Sequence, residues 1–484
     1  MKRTVATVFP RRSVSSAWPM PRPRRLPLLR SGLAGIRREA YQRARGRLYR
    51  YGSSASYGGA MRTMAAVVMA TLTSVTGMAA PALATTHLAA TWRSVEILAP
   101  LNASADPVAT LDTVACAGPG SCAGGGSYES RSGAIEPMVV AEPSGIWKRA
   151  QEVSLPANAF AANPDAAVSS MACTGAGSCV AVGGYAYDSA GDVHAFTVAE
   201  SKGAWARARQ VTLPANAATR DSDATLGAVT CTGAGSCVAV GGYLDKAGGQ
   251  ELMAVTEAKG RWGQAVQIAP PRNAAASAGA SLDAVSCWRP GDCAAVGTYA
   301  DTAHHVDALA TAESNGRWAQ AAEIAVPPNA GPDPGAQLTG VACSPAGSCT
   351  AAGGYFDKSA VSHAMVVTGS QRGWARATEI KPPPVNGFVA PFLDGISCAA
   401  AGTCETVGSY LDNFAAVPMA VTRSAGRWQP ATSVPAPANA LTGMFRDATL
   451  LSVACLNGYA CTALGWYVDK SHHQEAMAAT RSAP

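Results

Sequence analysis

The chain has 484 residues, of which 6% are aromatic and 14% charged, and its 49 glycines are typical of a long, turn-rich β protein. Its formal net charge is +6, but residues 1–84 hold fifteen Lys or Arg and one acid, which leaves 23 basic and 31 acidic residues in 85–484. A body with this acidic balance lacks the basic stripe of a nucleic-acid-binding protein, so nucleic acid is excluded as a partner.

Residues 1–60 form a basic, proline-containing leader, as in Pro21-Arg22-Pro23-Arg24-Arg25. They show no apolar periodicity, and they precede a segment with its own methionine, Met61. Two interpretations stay open. The leader is either a disordered extension or the product of a start codon assigned too early, with translation beginning at Met61.

Residues 61–84 have the three parts of a signal peptide: a basic start at Met61-Arg62-Thr63-Met64, an apolar run to Ala80, and an Ala-x-Ala end at Ala84. The run is interrupted by polar residues and is short for a bilayer span of roughly 20 residues, which disfavours the alternative of a retained anchor. We therefore expect cleavage after Ala84, no membrane span thereafter, and a secreted or extracytoplasmic protein.

An internal repeat of about 56 residues follows, marked by one tryptophan and one Cys-x5-Cys pair per unit. The tryptophans are Trp92, Trp147, Trp205, Trp262, Trp318, Trp374 and Trp428. The cysteine pairs are Cys116/Cys122, Cys173/Cys179, Cys231/Cys237, Cys287/Cys293, Cys343/Cys349, Cys398/Cys404 and Cys455/Cys461. These pairs include all fourteen cysteines of the chain.

The third unit shows the predicted strands most clearly. Trp205–Leu213 and Leu226–Cys231 precede the cysteine link, Cys237–Tyr243 has the small and β-branched residues of a strand buried on both faces, and Glu251–Glu257 follows a turn. Four strands joined by turns make one propeller blade. Each unit is therefore predicted to supply four strands.

The two ends of the repeat array complement each other. The last unit stops near Arg481 without a tryptophan strand, whereas the first begins with that strand, Trp92–Leu98. Residues 85–484 are therefore predicted to form an all-β fold, a seven-bladed β-propeller of four-stranded blades in which the N-terminal strand closes the last blade.

The cysteines favour seven local disulfides over zinc. Each pair lies at a hairpin mouth of an exported chain, where disulfides are expected. Two cysteines per unit with no nearby histidine would give only half of a tetrahedral zinc site. Closing such a short loop stabilises by roughly 2 kcal/mol in the chain-entropy model.

The turn before each tryptophan, as in Ser314-Asn315-Gly316-Arg317-Trp318, resembles the Asp-box turn of sialidase-type (BNR repeat) propellers, although the aspartate is missing. The segment Cys179-Val-Ala-Val-Gly183 is similar to repeats in secreted proteins of high-GC actinobacteria. The resemblance implies a propeller architecture. It implies no catalytic residue, because the tyrosines and arginines recur from unit to unit and neither set selects one active centre.

Residues that recur in every unit are interpreted as structural first. One asparagine per unit follows the tryptophan strand, and an Asx-turn is preferred over a ligand-reading ring: Asn102, Asn158, Asn216, Asn273, Asn329, Asn386 and Asn439. The aspartates after the repeated tyrosines are interpreted as turn residues rather than calcium ligands: Asp245, Asp301, Asp357, Asp412 and Asp469. The histidines are interpreted as exposed residues in separate blades: His194, His304, His305, His363, His472 and His473. No metal site and no cofactor are predicted.

Two kinds of connection emerge on one face of the propeller: those that leave each fourth strand and those that join second to third strands. We call this face the loop face. It lies opposite the cysteine hairpins, on what is called the hairpin face. Non-repeating aromatic residues concentrate in three successive loops of the loop face, which predicts a ligand-binding patch. Its members are Phe388, Phe392, Phe414, Met444, Phe445 and Arg446. The alternative is that these rings anchor long loops to the core.

The sequence thus favours a non-catalytic binding or scaffold propeller, expected to be a monomer, whose loop face holds a protein, a glycan or a small apolar ligand. The alternative function is a sialidase-like glycoside hydrolase. That function needs acids that converge near the axis, and the candidates Asp112, Asp283 and Asp394 are separated by units that have Gly227, Thr339 and Leu451 instead.

The predicted processing and oxidation can be tested together by the intact mass of protein collected from the culture medium. We expect a chain that starts at Thr85 and is lighter by fourteen hydrogens than its reduced form, because all fourteen cysteines are paired. A mass that includes the leader, or free thiols, would contradict export and the disulfide framework.

Overall fold

The computed structural model describes residues 91–275, 279–385, 389–400, 402–412, 414–443, 446–456 and 460–481. The leader and the signal peptide lie outside these residues. Within them the chain is all β, and it includes no helix that could cross a membrane.

The strands follow one another at short intervals along the whole described chain. Up to the third cysteine unit they are β1 (Trp92–Ile97), β2 (Thr110–Gly118), β3 (Ser121–Glu129), β4 (Ile135–Pro143), β5 (Gln151–Glu152), β6 (Ala167–Gly175), β7 (Ser178–Ala186), β8 (Val193–Ser201), β9 (Ala204–Trp205), β10 (Arg209–Gln210), β11 (Thr225–Gly233), β12 (Ser236–Leu244), β13 (Gln250–Ala258), β14 (Arg261–Trp262) and β15 (Val266–Ile268). The remaining strands are β16 (Ala280–Arg289), β17 (Asp292–Ala300), β18 (Val306–Ser314), β19 (Arg317–Trp318), β20 (Ala322–Glu323), β21 (Gln337–Cys343), β22 (Cys349–Phe356), β23 (Ser362–Ser370), β24 (Gly373–Trp374), β25 (Thr378–Ile380), β26 (Phe392–Ala400), β27 (Thr403–Asp412), β28 (Ala415–Ser424), β29 (Arg427–Trp428), β30 (Thr432–Ser433), β31 (Ala448–Cys455), β32 (Cys461–Val468) and β33 (Gln474–Arg481).

These strands form seven antiparallel sheets, and each sheet is one blade numbered by its cysteine pair. The first strands of neighbouring blades, β2, β6, β11, β16, β21, β26 and β31, pack against one another in a ring, with β31 also meeting β2. The predicted seven-bladed β-propeller is confirmed.

The ring closes through the N-terminal strand. β1 pairs with β33 in a register that runs from Trp92 opposite Arg481 to Ile97 opposite Ala476, so blade 7 has the sheet order β1-β33-β32-β31. The predicted completion of the last blade by the first strand is therefore confirmed.

The fourth strands are less regular than predicted. The expected strand Trp205–Leu213 is interrupted, and only β9 and β10 pair with β8. Between these two strands the chain forms hydrogen bonds with the preceding blade. The amide of Ala208 donates to Ser154 O at 2.8 Å, and Arg207 Nη1 donates to Leu155 O at 2.8 Å. The interruption therefore links the outer edges of adjacent blades.

Hydroxyl groups link adjacent blades near the axis. Thr113 Oγ1 accepts the amide of Met171 at 3.0 Å, Ser170 Oγ accepts that of Val229 at 3.1 Å, and Ser452 Oγ accepts that of Val114 at 3.2 Å. Each of these bonds joins the first strand of one blade to the first strand of the next. Buried amides that point away from their own sheet thus find partners.

The glycine of the repeated Ala-Val-Gly segment is required by a bulge in each first strand. In blade 3 the register with β12 shifts between Leu226 and Ala228. A Cβ on Gly241 would collide with the carbonyl oxygen of Thr225, which the bulge directs toward it. Equivalent glycines stand opposite the bulges of the other blades.

All fourteen cysteines form the seven predicted disulfides, with Cα–Cα distances of 3.9–4.1 Å between directly opposed residues of the first hairpin. The pairs are Cys116–Cys122, Cys173–Cys179, Cys231–Cys237, Cys287–Cys293, Cys343–Cys349, Cys398–Cys404 and Cys455–Cys461. The predicted pairing is therefore confirmed in every blade.

Cys122 contacts a neighbouring blade as well as its own. It is 5% exposed and shares an apolar cluster with Leu464 of blade 7. The hydroxyl of Thr462, also in blade 7, lies 3.8 Å from Cys122 Sγ. A disulfide sulfur carries no hydrogen, so the hydroxyl must be the donor in this contact. The disulfide Cys116–Cys122 is local as predicted, and the sulfur of Cys122 in addition contacts the blade that closes the ring.

In blades 1, 2, 3, 4 and 6 the turn of the cysteine hairpin contacts the turn between the third and fourth strands, where the Asp-box-like segment lies. In blade 2, Gly203 donates its amide to Gly177 O at 3.0 Å, and both glycines have positive φ. The two turns of one blade therefore support each other on the hairpin face.

A buried ion pair near the closure gives a test of interface energetics. Arg481 Nη2 lies 2.9 Å from Glu405 Oε2, and their side chains are 7% and 2% exposed. Arg481→Met should lower the free energy of unfolding by about 3–5 kcal/mol, because it leaves a buried carboxylate without its cation. Denaturant unfolding curves measure this loss.

Arg423 occupies the equivalent position in blade 6, where it donates to Thr350 Oγ1 and lies over Trp428. Arg423→Met is the matched control and should cost clearly less. The double variant Arg481→Met/Glu405→Gln should recover most of the loss. Equal losses in the two single variants would show that packing, and not the buried charge, dominates.

Candidate functional site

The acids nearest the axis occupy the bulge positions of the first strands. The seven bulge residues are Asp112, Ser169, Gly227, Asp283, Thr339, Asp394 and Leu451. Asp112 and Asp283 accept hydrogen bonds from Thr110 and Ser281 of their own strands, at 3.1 and 3.0 Å. The acids are thus held locally and stand in blades that are not neighbours.

The repeated tyrosines are buried and bind the repeated asparagines. The tyrosine hydroxyls donate to asparagine Oδ1 at 2.8–3.1 Å in the pairs Tyr128–Asn102, Tyr185–Asn158, Tyr243–Asn216, Tyr299–Asn273, Tyr355–Asn329 and Tyr467–Asn439. The predicted Asx-turn is wrong for these asparagines, because Oδ1 accepts from the tyrosine of the following blade. Asn386 lies outside the described residues, and Tyr410 contacts Ser433 Oγ at 2.9 Å.

The other end of each asparagine side chain contacts the fourth strand. Nδ2 donates to a Glu or Gln at 2.8–3.3 Å in the pairs Asn102–Glu152, Asn158–Gln210, Asn216–Gln267, Asn273–Glu323, Asn329–Glu379 and Asn439–Glu96. Each connection between blades is therefore held to the second and fourth strands of the blade it enters. The interpretation of the asparagines as structural residues agrees with this geometry.

In two blades the third strand places a carboxylate beside the fourth-strand glutamate that binds the asparagine, so that two carboxylates lie close together. In blade 1, burial and the nearby Glu152 raise the pKa of Glu136 to about 7. In blade 4, burial, Glu323 and Asp301 raise the pKa of Asp307 to about 6. Sequence reasoning missed these pairs. The signal was available, because Glu136 and Asp307 stand directly opposite Tyr128 and Tyr299 in the strand register.

The tyrosine environment weighs against a tyrosine nucleophile. Burial raises the pKa of Tyr243 and of Tyr355 to about 12, and it raises the pKa of Tyr128, Tyr299 and Tyr467 further. A phenol with a raised pKa is harder to ionise and is a weaker nucleophile at neutral pH.

The cysteines lie in the interior and offer no thiolate to a substrate or a metal ion. The second cysteine of each pair is only 0–5% exposed: Cys122, Cys179, Cys237, Cys293, Cys349, Cys404 and Cys461. All of them are oxidised, and a disulfide sulfur lacks the charge that makes a thiolate a nucleophile or a ligand. Cys122 in particular packs between blades 1 and 7, away from the loop face. The cysteines are therefore structural residues.

The aspartates after the tyrosines form turns, as predicted. Asp245 Oδ1 accepts the amides of Ala247 and Gly249 at 2.9 and 2.8 Å, and Asp301, Asp357 and Asp469 do the same in their blades. Asp412 differs, because it pairs with Arg446.

The histidines are less uniformly exposed than predicted. His304 and His472 are exposed, whereas His194, His305, His363 and His473 are half-buried. His194 stacks on Tyr187 with ring centroids 4.1 Å apart, and burial lowers the pKa of His194. His363 lies between two carboxylates, with Nε2 3.2 Å from Asp357 Oδ2 and Nδ1 3.1 Å from Glu379 Oε1. Each histidine thus contacts its own blade rather than a neighbouring one.

Three members of the predicted aromatic patch, Phe388, Met444 and Phe445, lie outside the described residues. Phe392 begins β26 and is half-buried, with its ring against Gly354 of blade 5, where a Cβ would collide with it. This placement agrees with an anchoring role for Phe392.

Phe414 and Arg446 lie on two loops that are tied together. Phe414 is 49% exposed and has a φ of 73°, a left-handed conformation that is unusual for a bulky residue. Arg446 Nη2 donates to Asp412 Oδ2, and the amide of Ala416 donates to Asp447 Oδ1 at 2.9 Å. The loop containing Phe414 is thus bound to the connection between blades 6 and 7.

The hairpin face has a groove of about 530 Å³ between the ends of blades 3 and 4, bordered by Thr232, Pro290 and Glu313. The hairpin of blade 4 differs from the others because it holds Trp288-Arg289-Pro290-Gly291-Asp292 between its cysteines. It packs on blade 5: Trp288 lies against Gly347, and Asp292 Oδ1 accepts a hydrogen bond from Gln371 Nε2 at 2.7 Å. The unusual residues of this hairpin therefore make intramolecular contacts.

No protein-family model matches the sequence, and no curated protein matches it. Among solved structures, the chain is similar to a polysaccharide lyase, an ulvan lyase (9% identity, TM-score 0.47, 79% of this chain and 95% of that one), and to a protein of unknown function from Dyadobacter fermentans (10%, 0.44, 81% and 99%). It is also similar to a Trypanosoma rangeli sialidase (10%, 0.44), where the match covers 80% of this chain and 58% of the sialidase.

At such identities these likenesses concern the fold alone. The chain's own strand topology defines its class: it is a seven-bladed β-propeller built from disulfide-bearing repeats.

The pKa of Glu136 predicts how stability changes with pH. A carboxyl group whose pKa rises from 4.5 to about 7 on folding contributes fully to stability below pH 4.5, and this contribution is lost as the pH increases through 7. Glu136→Gln should therefore raise the free energy of unfolding by roughly 1–3 kcal/mol at pH 8 and have little effect at pH 4.5. Melting temperatures between pH 4.5 and 8 measure the difference. They are recorded in EDTA, so that divalent ions do not bind the carboxylates and alter the stability.

Glu251→Gln is the matched control, because Glu251 occupies the equivalent position but accepts a hydrogen bond from the side-chain amide of Gln267 at 2.9 Å. It should not reproduce the gain at pH 8. A gain of the same size in both variants would remove the carboxylate pair as its cause.

Proposed function

We propose that the protein is an exported, non-catalytic β-propeller that binds a glycan through the loop face of blades 6 and 7. The observation that carries the proposal is the pair of loops joined by Arg446 and Asp412, beside which Phe414 is half exposed in a strained backbone conformation. Strain of this kind concentrates at ligand sites, where the surrounding structure maintains it.

The chemistry of these side chains suits a carbohydrate. An exposed aromatic ring offers an apolar face to the C–H groups of a sugar, and a guanidinium and a carboxylate beside it offer hydrogen bonds to hydroxyl groups. Met444 and Phe445 directly precede Arg446 in sequence, and Phe388 belongs to the connection before β26. We propose that all three extend the same surface.

Export is part of the proposal. The signal-peptide pattern of residues 61–84 motivates it, and seven disulfides suit an oxidising compartment. Non-catalytic binding is favoured over glycoside hydrolysis by the buried tyrosines with raised pKa values and by the axial acids in separate blades.

The test is a glycan array followed by calorimetric titration of the strongest glycan. Phe414→Ala and Arg446→Ala should each weaken binding by at least about fivefold, as expected for a loss of about 1 kcal/mol. Ile146→Ala is the control, because Ile146 is 64% exposed in the third-to-fourth strand turn of blade 1, on the opposite face.

Binding that is unchanged in both loop variants would contradict the assignment of this surface. Capture of a protein or an apolar molecule without any glycan would overturn the choice of ligand. Release of free sugar from glycoside substrates would favour the alternative hydrolase.

A further inference from the structure

The loop-face rim of blade 7 brings together side chains of the types that bind metal ions. Asp469 lies in the turn after β32, His473 precedes β33, and Glu475 is the second residue of β33. One ligand atom from each lies within 4.8 Å of the other two, and all three residues are half-buried.

Hydrogen bonds hold Asp469 of this cluster and the neighbouring Glu96 in place. Asp469 Oδ1 accepts the amides of Ser471 and His473, both at 2.8 Å, so this oxygen fixes the turn. On the adjacent β1, Glu96 Oε2 accepts Asn439 Nδ2 at 2.9 Å. The cluster therefore does not depend on flexible surface side chains alone.

The same set of residue types recurs in blade 4. There the spacing Asp-x3-His-x-Asp is formed by Asp301, His305 and Asp307, and Glu323 stands in the position of Glu96. In this blade Asp301 Oδ1 holds the turn in the same way, and Asp301 Oδ2 lies 3.5 Å from His305 Nδ1. One oxygen of the aspartate thus fixes the backbone while the other faces the imidazole.

The turn itself does not require the histidine or the extra glutamate. In blade 3 the same turn forms around Asp245 with Gly249 in the place of the histidine and Gln267 in the place of the fourth-strand glutamate. Folding of the turn therefore does not explain why blades 4 and 7 carry a histidine between carboxylates.

The charges of the cluster favour a cation. Glu475 lies near the carboxylates of Glu96, Asp469 and Asp106. A divalent ion would offset the repulsion among these carboxylates. An imidazole nitrogen with two carboxylate oxygens suits zinc and similar transition metals better than calcium or magnesium, which take oxygen ligands.

We propose that blade 7 binds a zinc-type divalent ion through Asp469, His473 and Glu475, with Glu96 beside it. Zinc–ligand bonds of about 2.0–2.2 Å require the three ligand atoms to close in from their present spacing. In blade 4 the corresponding atoms of Asp301, His305 and Asp307 do not all lie within 4.8 Å of one another, so the proposal is confined to blade 7. The site lies on the same face as the proposed glycan surface but shares no residue with Phe414, Arg446 and Asp412, and it does not depend on glycan binding.

The test is native mass spectrometry of the untagged, exported full chain, first stripped with EDTA and then titrated with Zn²⁺. We expect one ion per wild-type chain and none in the variant His473→Ala, whereas His305→Ala, which changes the equivalent histidine of blade 4, should retain the ion. Loss of a direct ligand should weaken the site by at least the 10–100-fold that loss of a supporting residue costs. Substitution by Co²⁺ gives a visible absorption band that should lose intensity in the variant His473→Ala.

Glu251→Gln is the second control, since it changes the equivalent third-strand carboxylate in a blade without the histidine, and it should also retain the ion. His473→Gln keeps a side chain of similar size and should lose the ion. A wild-type chain that binds no Zn²⁺, or a His473→Ala variant that still binds the ion, would overturn the proposal.

Discussion

Pairing between β1 and β33 closes the ring of blades, and both the architecture and the polar cluster of blade 7 depend on it. Blades 1 to 6 are each made from one continuous segment, whereas blade 7 is completed by residues from the other end of the array. The same strand supplies Trp92, whose ring lies 5.4 Å from the Arg481 guanidinium, and Glu96, which completes the polar cluster at the rim. Closure therefore determines the architecture and also assembles the acidic surroundings of Glu475.

The fold could be predicted from the sequence because its signals are local and repeated. Each cysteine pair lies within one hairpin, so the disulfides follow from spacing, and the tryptophan period gives the number of blades. Contacts between blades could not be predicted in this way. Ala208 and Arg207 form hydrogen bonds with the preceding blade, and Cys122 meets Thr462 of blade 7, yet such contacts leave no periodic mark within a strand.

The asparagines and the aromatic loops show which contacts a single sequence does not predict. The asparagines were interpreted within their own turns, whereas Asn216 Oδ1 actually accepts from Tyr243, 27 residues later, and Nδ2 donates to Gln267, 51 residues later. Both separations are nearly the same in most blades, so these contacts could be predicted once the strand register is known. The aromatic loops are the opposite case, because they differ from unit to unit, and only structure separates the anchored ring of Phe392 from the exposed ring of Phe414.

Every disulfide joins cysteines only six positions apart. None of them forms a covalent bond from one blade to another, so cutting the backbone in any connection between blades leaves two pieces with no covalent link. Those pieces would be held only by the ring of contacts that also joins β1 to β33. The propeller is therefore suited to circular permutation: its natural ends can be joined and new ends opened between other blades, with all seven cystines re-forming within their own hairpins.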